Sequence, residues 1–188
     1  MLQGEGVRAV RFEPALFGLP PEAPKWGDFA DRLGMAGILI TASWGGLGGT
    51  YDLACRYLTR WRQAAVLLLD MNWSQWRSLM LLMDDFPFLH TELSNFQANR
   101  AVETLAARFG AQRVCFGSGM PYRAAGAARA FIDWARVSPT ERALMAGGNL
   151  ARLLGRSGVG PVNRKSRPSL VAPRSPKPTD ALVRALSS

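Results

Sequence analysis

The chain has 188 residues, of which 48% are hydrophobic, and a formal net charge of +9. This length is sufficient for one domain with a buried core. No stretch reaches the roughly 18 consecutive apolar residues of a membrane span. Residues 1–15 carry charges and lack the apolar core of a signal peptide, so a cytoplasmic protein is predicted. Cys55 and Cys115 fall in apolar segments and are predicted to be reduced core thiols rather than a disulfide or a metal pair.

The positive charge is concentrated at the C-terminal end. Residues 156–188 hold seven Arg or Lys residues against Asp180 alone, and they include five of the twelve prolines. Such a segment buries too little apolar surface to offset its ordering entropy. We therefore predict a folded domain over residues 1–155 and a disordered basic tail over residues 156–188. A basic tail can also bind nucleic acid, but this one lacks interleaved aromatic residues, and a solvated tail is the favoured interpretation.

The body alternates between apolar runs and helical patterns. The runs predict strands over residues 7–12, 37–42, 64–71, 88–95 and 113–119. Apolar residues at three- and four-residue spacing predict the intervening helices. Five tryptophans lie mostly in such stripes and are predicted core residues (Trp26, Trp61, Trp73, Trp76, Trp134). Alternation of this kind predicts an α/β protein with a parallel sheet. Periodicity leaves two architectures open, an open doubly wound sheet and part of a (β/α)8 barrel, which usually needs about 250 residues when complete.

Several helix boundaries are marked by local signals. Thr50 is placed as the N-cap of the helix that begins at Tyr51. Ser138, Pro139 and Glu141 form an N-cap, a first-turn proline and a capping box. Gly110 stands where a helix commonly ends.

One stretch carries a family resemblance. Arg108-Phe109-Gly110 is followed by a predicted strand and turn over residues 113–121 (RVCFGSGMP), then by a helix and by residues 147–155 (GGNLARLLG). This order resembles the C-terminal part of the amidohydrolase-related family, which comprises metal-dependent hydrolases and decarboxylases built on a TIM barrel. The resemblance covers about residues 7–155 and is strongest from Glu92 onward. It implies an incomplete barrel of about five of the eight units, with the first two or three units missing before residue 1.

The resemblance also implies a metal site, which this sequence does not reproduce. In the metal-dependent members an aspartate follows the serine of the last strand, and Gly119 stands at that position here. Histidines end or follow two earlier strands of the family, where this chain has Thr41 or Ala42, and Met71 after Asp70. There is no His-x-His pair. We therefore expect no metal and no other cofactor.

The groups that act on a ligand in a parallel α/β protein lie at the carboxyl ends of its strands. Weak candidates for catalysis at those positions are Glu92, Asp70 and Arg11. Weak candidates for substrate binding are Trp44, Asn72, Ser94, Asn95 and Ser118. Trp44 is singled out because it is predicted to lie in a glycine-rich loop at the rim, where its ring could stack on a planar ligand.

Glu92 and His90 lie on one face of the fourth predicted strand. A buried carboxylate is costly unless it is paired, so a structural ion pair between Glu92 and Arg11 or Arg8 is the favoured interpretation. A general acid or base with a raised pKa is the alternative. His90 lies toward the amino end of its strand and is predicted to be a hydrogen-bonded core histidine.

The function implied by the resemblance is hydrolysis or decarboxylation of a small carboxylate or cyclic amide. Because the chain lacks the metal ligands, an inactive pseudoenzyme is the other outcome that the resemblance leaves open. The alternative is a non-catalytic fragment that binds a small molecule or completes its barrel against another chain. The outer strands of an open five-stranded sheet would be residues 7–12 and 113–119. Because residues 114–116 carry no protective charge or proline, we expect an unprotected edge there and self-association.

Overall fold

The computed structural model describes residues 6–96 and 98–155. Its centre is a sheet of five parallel strands in sequential order. The strands are β1 (Ala9–Arg11), β2 (Leu39–Ser43), β3 (Val66–Leu69), β4 (Leu89–Glu92) and β5 (Val114–Cys115). A doubly wound sheet reverses its strand order at a switch point, and this sheet does not. The predicted parallel α/β architecture is confirmed, and the sequential order is that of consecutive barrel units.

In the described part of the chain, seven α-helices accompany the sheet. They are α1 (Pro24–Met35), α2 (Tyr51–Arg60), α3 (Trp76–Asp85), α4 (Ala101–Phe109), α5 (Ala125–Asp133), α6 (Pro139–Ala143) and α7 (Asn149–Leu153). A π-turn over Leu144–Gly148 joins α6 to α7. The strands are shorter than predicted because the apolar runs continue past the paired residues: Met71, for example, is fully buried two residues after β3 ends.

The two faces of the sheet bury different side chains. Ile40, Ala42, Val66 and Leu68 point into the main core, which includes residues of α1 to α4. On the opposite face, Leu39, Leu67 and Cys115 form a smaller cluster, against which three leucines of the α7 region pack (Leu150, Leu153, Leu154). Paired residues of neighbouring parallel strands point to the same side, so the pairs Leu67–His90 and Glu92–Cys115 place His90 and Glu92 on this second face.

The edge formed by β5 is covered, which corrects the expectation of an unprotected edge at residues 114–116. The N–H of Phe116 donates to the Met145 carbonyl at 2.8 Å. Asn149 is fully buried, and its Nδ2 donates at 2.7 Å to the carbonyls of both Ala111 and Val114. The helical segment after α5 therefore supplies the partners that a sixth strand would otherwise supply.

The predicted helix caps are present. The Leu53 N–H donates to Thr50 Oγ1 at 3.3 Å. Ser138 and Glu141 form the reciprocal capping box, and its hydrogen bonds lower the pKa of Glu141. Local side-chain chemistry thus fixes where α2 and α6 begin.

No helix among residues 6–96 and 98–155 is long and apolar enough to cross a membrane. The predicted basic tail, residues 156–188, lies outside the described residues, and its disorder remains a prediction.

Candidate functional site

The carboxyl ends of the strands carry two separate groups of polar side chains. The first, which we call the Glu13 cluster, consists of Arg11, Glu13, Ser43 and Gly46 and lies after β1 and β2. The second, which we call the Glu92 cluster, consists of Asp70, Glu92, Ser94, Asn95 and Arg123 and lies after β3, β4 and β5. Each is built around one buried glutamate.

In the Glu13 cluster, a carboxylate ties the end of β1 to the end of β2. Glu13 accepts hydrogen bonds from the Ser43 N–H at 3.1 Å and from Ser43 Oγ at 2.8 Å. The Ser43 hydroxyl oxygen accepts in turn from the Gly46 N–H at 2.9 Å. A Cβ atom on Gly46 would overlap Glu13 Oε2, so the loop needs a glycine there. Arg11 completes the cluster with an ion pair from Nε to Glu13 Oε1 at 2.6 Å.

In the Glu92 cluster, the carboxylate hydrogen-bonds two loops and packs against a third. Glu92 Oε1 accepts from the Asp70 N–H and from Ser94 Oγ, both at 2.9 Å. Oε2 accepts from the Ser94 N–H at 2.6 Å. A Cβ atom on Gly117, after β5, would overlap Oε2. One buried side chain therefore holds the backbone after β3 and β4 and requires a glycine after β5.

The predicted ion pair between Glu92 and Arg11 or Arg8 is wrong. Among the described residues, Glu92 satisfies its charge with backbone and hydroxyl donors, and Arg11 pairs with Glu13 instead. N–H and O–H donors stabilise a buried carboxylate as an arginine would. Backbone donors of this kind cannot be recognised from the sequence, and Ser94 is the one partner that could be.

Asp70 is the partly exposed carboxylate of the Glu92 cluster. Its backbone adopts a left-handed conformation with φ of 60°, which is uncommon for a residue other than glycine. Glu92 holds its N–H, and Asn95 Nδ2 donates to its carbonyl at 3.4 Å. Its Oδ1 lies 3.5 Å from Arg123 NH1. Strained residues held by their neighbours are concentrated at functional sites.

The remaining predicted site residues have local roles. Asn72 Oδ1 accepts from the Ser74 N–H at 2.9 Å and caps a short helical turn. Ser118 Oγ accepts from the Met120 N–H at 3.4 Å. Trp44 is only 9% exposed and belongs to the main core. The Trp44 ring is therefore not open to a ligand at the rim, which corrects that expectation.

His90 is buried on the second sheet face, as predicted for a core histidine. Its Nδ1 lies 3.1 Å from the Phe88 carbonyl oxygen. Burial lowers the pKa of His90, so the neutral ring is favoured in the folded protein.

A cavity of about 510 Å³ adjoins the Glu92 cluster at Ser94. Its walls are Leu93 and small and aromatic side chains of α5 and the residue after it (Ala127, Ala128, Ala130, Phe131, Trp134). Trp134 is 86% exposed, and Trp73 is also exposed, which corrects the assignment of both rings to the core. The cavity lies in the usual size range of small-molecule pockets and is mostly apolar.

The residues present do not fit a metal ion. Within the described parts of the chain, no group of three or more His, Cys, Asp or Glu side chains could hold one. A zinc site needs three or four converging ligands, and the Glu92 oxygens are already occupied as hydrogen-bond acceptors.

Arg123 is the member of the Glu92 cluster that the sequence did not reveal. It lies in the turn after β5, and it reaches Asp70 only because that turn directs it across the end of β4. No periodicity or motif marks such a residue. The glycine four positions earlier, Gly119, is the one local signal.

Comparison with known proteins places these features in a family. The family model for amidohydrolases matches residues 61–156. No curated protein matches the chain.

Several solved structures share the fold. An uncharacterised TIM-barrel protein from Bordetella bronchiseptica has a TM-score of 0.67 and 17% identity, over 82% of this chain and 59% of that protein. 2,6-Dihydroxybenzoate decarboxylase from Rhizobium has a TM-score of 0.56 and 15% identity, over 74% and 58% of the two chains. A Pseudomonas putida protein described as a 2-pyrone-4,6-dicarboxylic acid hydrolase has a TM-score of 0.54 and 13% identity, over 79% and 63%. This chain thus spans about six-tenths of the length of these structures, and identities this low support the fold alone.

Proposed function

The chain belongs to the amidohydrolase family, and from this premise we propose that it is a hydrolase or decarboxylase-type lyase acting on a small carboxylate or cyclic amide. The observation that carries the proposal is the Glu92 cluster: a buried glutamate at the end of β4 holds a partly exposed aspartate at the end of β3. Acid–base groups of parallel α/β enzymes lie at this edge. The adjoining cavity of about 510 Å³ has room for a small organic acid.

Asp70 is the residue to which we assign the proton transfer. In hydrolysis, its carboxylate takes the proton of the water that attacks the carbonyl carbon, and it gives that proton to the nitrogen or oxygen that leaves as its bond to this carbon breaks. In decarboxylation, the bond between the substrate carbon and its carboxylate breaks and carbon dioxide leaves. The protonated form of Asp70 gives its proton to that carbon and takes another from solvent. Glu92 positions Asp70 through the hydrogen bond to its backbone and does not contact the substrate. We propose a route in which the described residues hold no metal ion.

The test is an activity screen of the purified full chain. Substrates are aromatic and pyrone carboxylic acids, including 2,6-dihydroxybenzoate and 2-pyrone-4,6-dicarboxylate, and cyclic amides. Asp70→Asn should lower turnover by about 100-fold or more if Asp70 transfers the proton. Asp28→Asn, an exposed aspartate on α1, is the matched control and should retain the wild-type rate. Full turnover by Asp70→Asn would contradict the assignment.

Metal content decides the metal-free part of the proposal. We expect no stoichiometric zinc, iron or manganese after extensive dialysis, and no gain in rate when these ions are added. Gly119→Asp alone should not create a site, because one carboxylate cannot replace three or four converging ligands. About one metal ion per chain in elemental analysis would overturn this part.

A second candidate function is that of a non-catalytic ligand-binding or oligomer-completing barrel fragment, and one observation favours it. β1 is the outermost strand opposite β5, and Ala9 and Arg11 in it are exposed. Five and six residues after it, Leu16 and Phe17 are 66% and 74% exposed. Exposed apolar side chains and an uncovered strand edge each invite contact with another chain.

Light scattering of the full chain tests the second candidate. It predicts a dimer or larger species that the double variant Leu16→Ser, Phe17→Ser dissociates. Leu81→Ser, an exposed leucine on α3, is the control and should leave the mass unchanged. A monodisperse wild-type monomer would count against it.

The location of the protein is also a proposal. Cys55 and Cys115 are both free, and burial raises the pKa of the Cys115 thiol to about 12. Unpaired, unreactive thiols support the cytoplasm, where cysteines stay reduced.

A further inference from the structure

An arginine spans the Glu92 cluster from one side to the other. Arg123 belongs to the turn after β5, yet its NH1 lies 3.5 Å from Oδ1 of Asp70, which follows β3. Strand β4 lies between β3 and β5 in the sheet. The loop after β5, whose Gly117 lies against Glu92 and Ser94, and the side chain of Arg123 together therefore span the end of β4.

The contact between Arg123 and Asp70 is loose. Charge-assisted N–H···O bonds are usually about 2.7–2.9 Å long, and the ion pairs Arg11–Glu13 and Arg129–Asp133 in this chain measure 2.6 and 2.7 Å. The Arg123 and Asp70 side chains are 36% and 48% exposed. A guanidinium carries five N–H donors in a planar fork, so a single contact at 3.5 Å leaves most of them available to a ligand.

The Asp70 backbone and the stem of Arg123 are nevertheless supported by neighbouring groups. Glu92 and Asn95 hold the left-handed backbone of Asp70. The stem of Arg123 lies over Gly119, where a Cβ atom would come within 3.1 Å of Arg123 Cβ and 3.2 Å of its Cδ. A binding group that is already oriented loses less conformational entropy when the ligand arrives.

We propose that Arg123 binds the carboxylate of the substrate, and that Asp70 occupies part of the same position as an internal stand-in for that carboxylate. The inference deepens the proposed function and rests on it, because it names the group by which the substrate is recognised. An arginine fork matches a carboxylate through two parallel hydrogen bonds. The ligand's carboxylate then takes the open side of the guanidinium and competes with Asp70 for it.

Competition gives the two residues opposite effects on binding. Removal of Arg123 removes the donors and must weaken a carboxylate ligand. Removal of the Asp70 charge frees the guanidinium and removes a repulsion between like charges, so it must strengthen the same ligand. Asparagine is among the residues that tolerate the left-handed conformation, and Asp70→Asn therefore keeps the backbone.

The experiment is a calorimetric titration of the purified full chain with benzoate, and with benzamide as a neutral probe of similar shape. We expect Arg123→Gln to weaken the affinity for benzoate by about tenfold or more. The affinity of Arg123→Lys should lie between those of the wild type and Arg123→Gln, because lysine keeps the charge but lacks the planar fork of donors. Asp70→Asn should strengthen benzoate several-fold. Arg129→Gln, which breaks the exposed ion pair with Asp133, should bind as the wild type does. The affinity for benzamide should change little in any of the four variants.

Unchanged benzoate affinity in Arg123→Gln would overturn the proposal, as would no benzoate binding by the wild type up to its solubility limit. Weaker binding by Asp70→Asn would overturn the stand-in role of Asp70. Failure of the proposed function appears differently: benzoate binding with the predicted variant effects, but no turnover of any acid in the screen. Unaltered turnover by Arg123→Gln would count against Arg123 alone.

Discussion

Glu92 Oε1 accepts a hydrogen bond from the backbone N–H of Asp70 at 2.9 Å, across the boundary between two strands. The side chain that ends β4 therefore determines the backbone conformation of the residue that follows β3. In this way Glu92 controls the position of Asp70, the residue to which we assign the proton transfer. This relationship gives the first stability prediction.

Glu92→Gln should destabilise the protein by about 1–3 kcal/mol, because an amide NH2 would replace the oxygen that accepts from the Ser94 N–H and leave that buried donor without an acceptor. Urea denaturation at neutral pH measures the change. Glu22→Gln is the control: its carboxylate is exposed, and its loss should leave the denaturation midpoint close to that of the wild type. Equal stability of the two variants would contradict the tying role of Glu92.

The adjacent glycines Gly45 and Gly46 give a matched pair for the Glu13 cluster. A Cβ atom on Gly46 would overlap the Glu13 carboxylate, whereas one on Gly45 would meet no atom within 4 Å. Gly46→Ala should cost about 1–3 kcal/mol through overpacking. Gly45→Ala should change the free energy of unfolding by less than about 1 kcal/mol. Thermal melts of both variants test the difference, and a Gly46→Ala melt that coincides with the wild type would contradict it.

His90 should make the protein less stable as the pH falls below 6.5. Burial lowers its pKa from 6.5 in the folded state, so the unfolded chain binds the proton more readily. The stabilising contribution is complete above pH 6.5 and is lost as the pH falls toward the lower folded value, by at most about 1.4 kcal/mol per pH unit. Denaturation midpoints measured between pH 7.5 and 5 should therefore fall.

His90→Gln should flatten that pH dependence, since His90 is the one histidine of the chain. The pKa of Glu103 is lowered below 4.5, first by its hydrogen bond from the Arg136 N–H. The contribution of that carboxylate is thus separate from that of His90. If the denaturation midpoint of the variant depended on pH as strongly as that of the wild type, His90 would be excluded as the source of the dependence.

Much of the fold could be predicted because the local signals agree with the tertiary structure. The apolar runs marked β2 to β4, and Thr50 and Ser138 marked two helix starts. The site was harder to predict. The polar residues at the strand ends were identified, but not their partners, since Glu92 uses backbone donors that every residue carries. Arg123 could not be placed because its position depends on the turn at Gly119, which carries it past one whole strand.

Asn149 should prove important for stability although it lies far along the chain from the strand it caps. Its Nδ2 donates to the buried carbonyls of Ala111 and Val114. Asn149→Ala removes both bonds and leaves a cavity, and it should cost at least about 2 kcal/mol. Asn99→Ala, at an exposed position before α4, should stay within about 0.5 kcal/mol of the wild type. Chemical denaturation measures the free energy of unfolding of both variants, and a loss confined to Asn149→Ala would confirm the capping role of Asn149.

The cover over β5 also limits how copies of this chain can assemble. A sheet with two available edges can join head to tail without end, and such growth produces fibres. Because the Met145 carbonyl and Asn149 occupy the bonding groups of β5, the described chain offers only the β1 edge. Contact through one edge joins a molecule to a single copy of itself about a twofold axis and then stops. Assembly through the sheet edges alone should therefore stop at a closed pair.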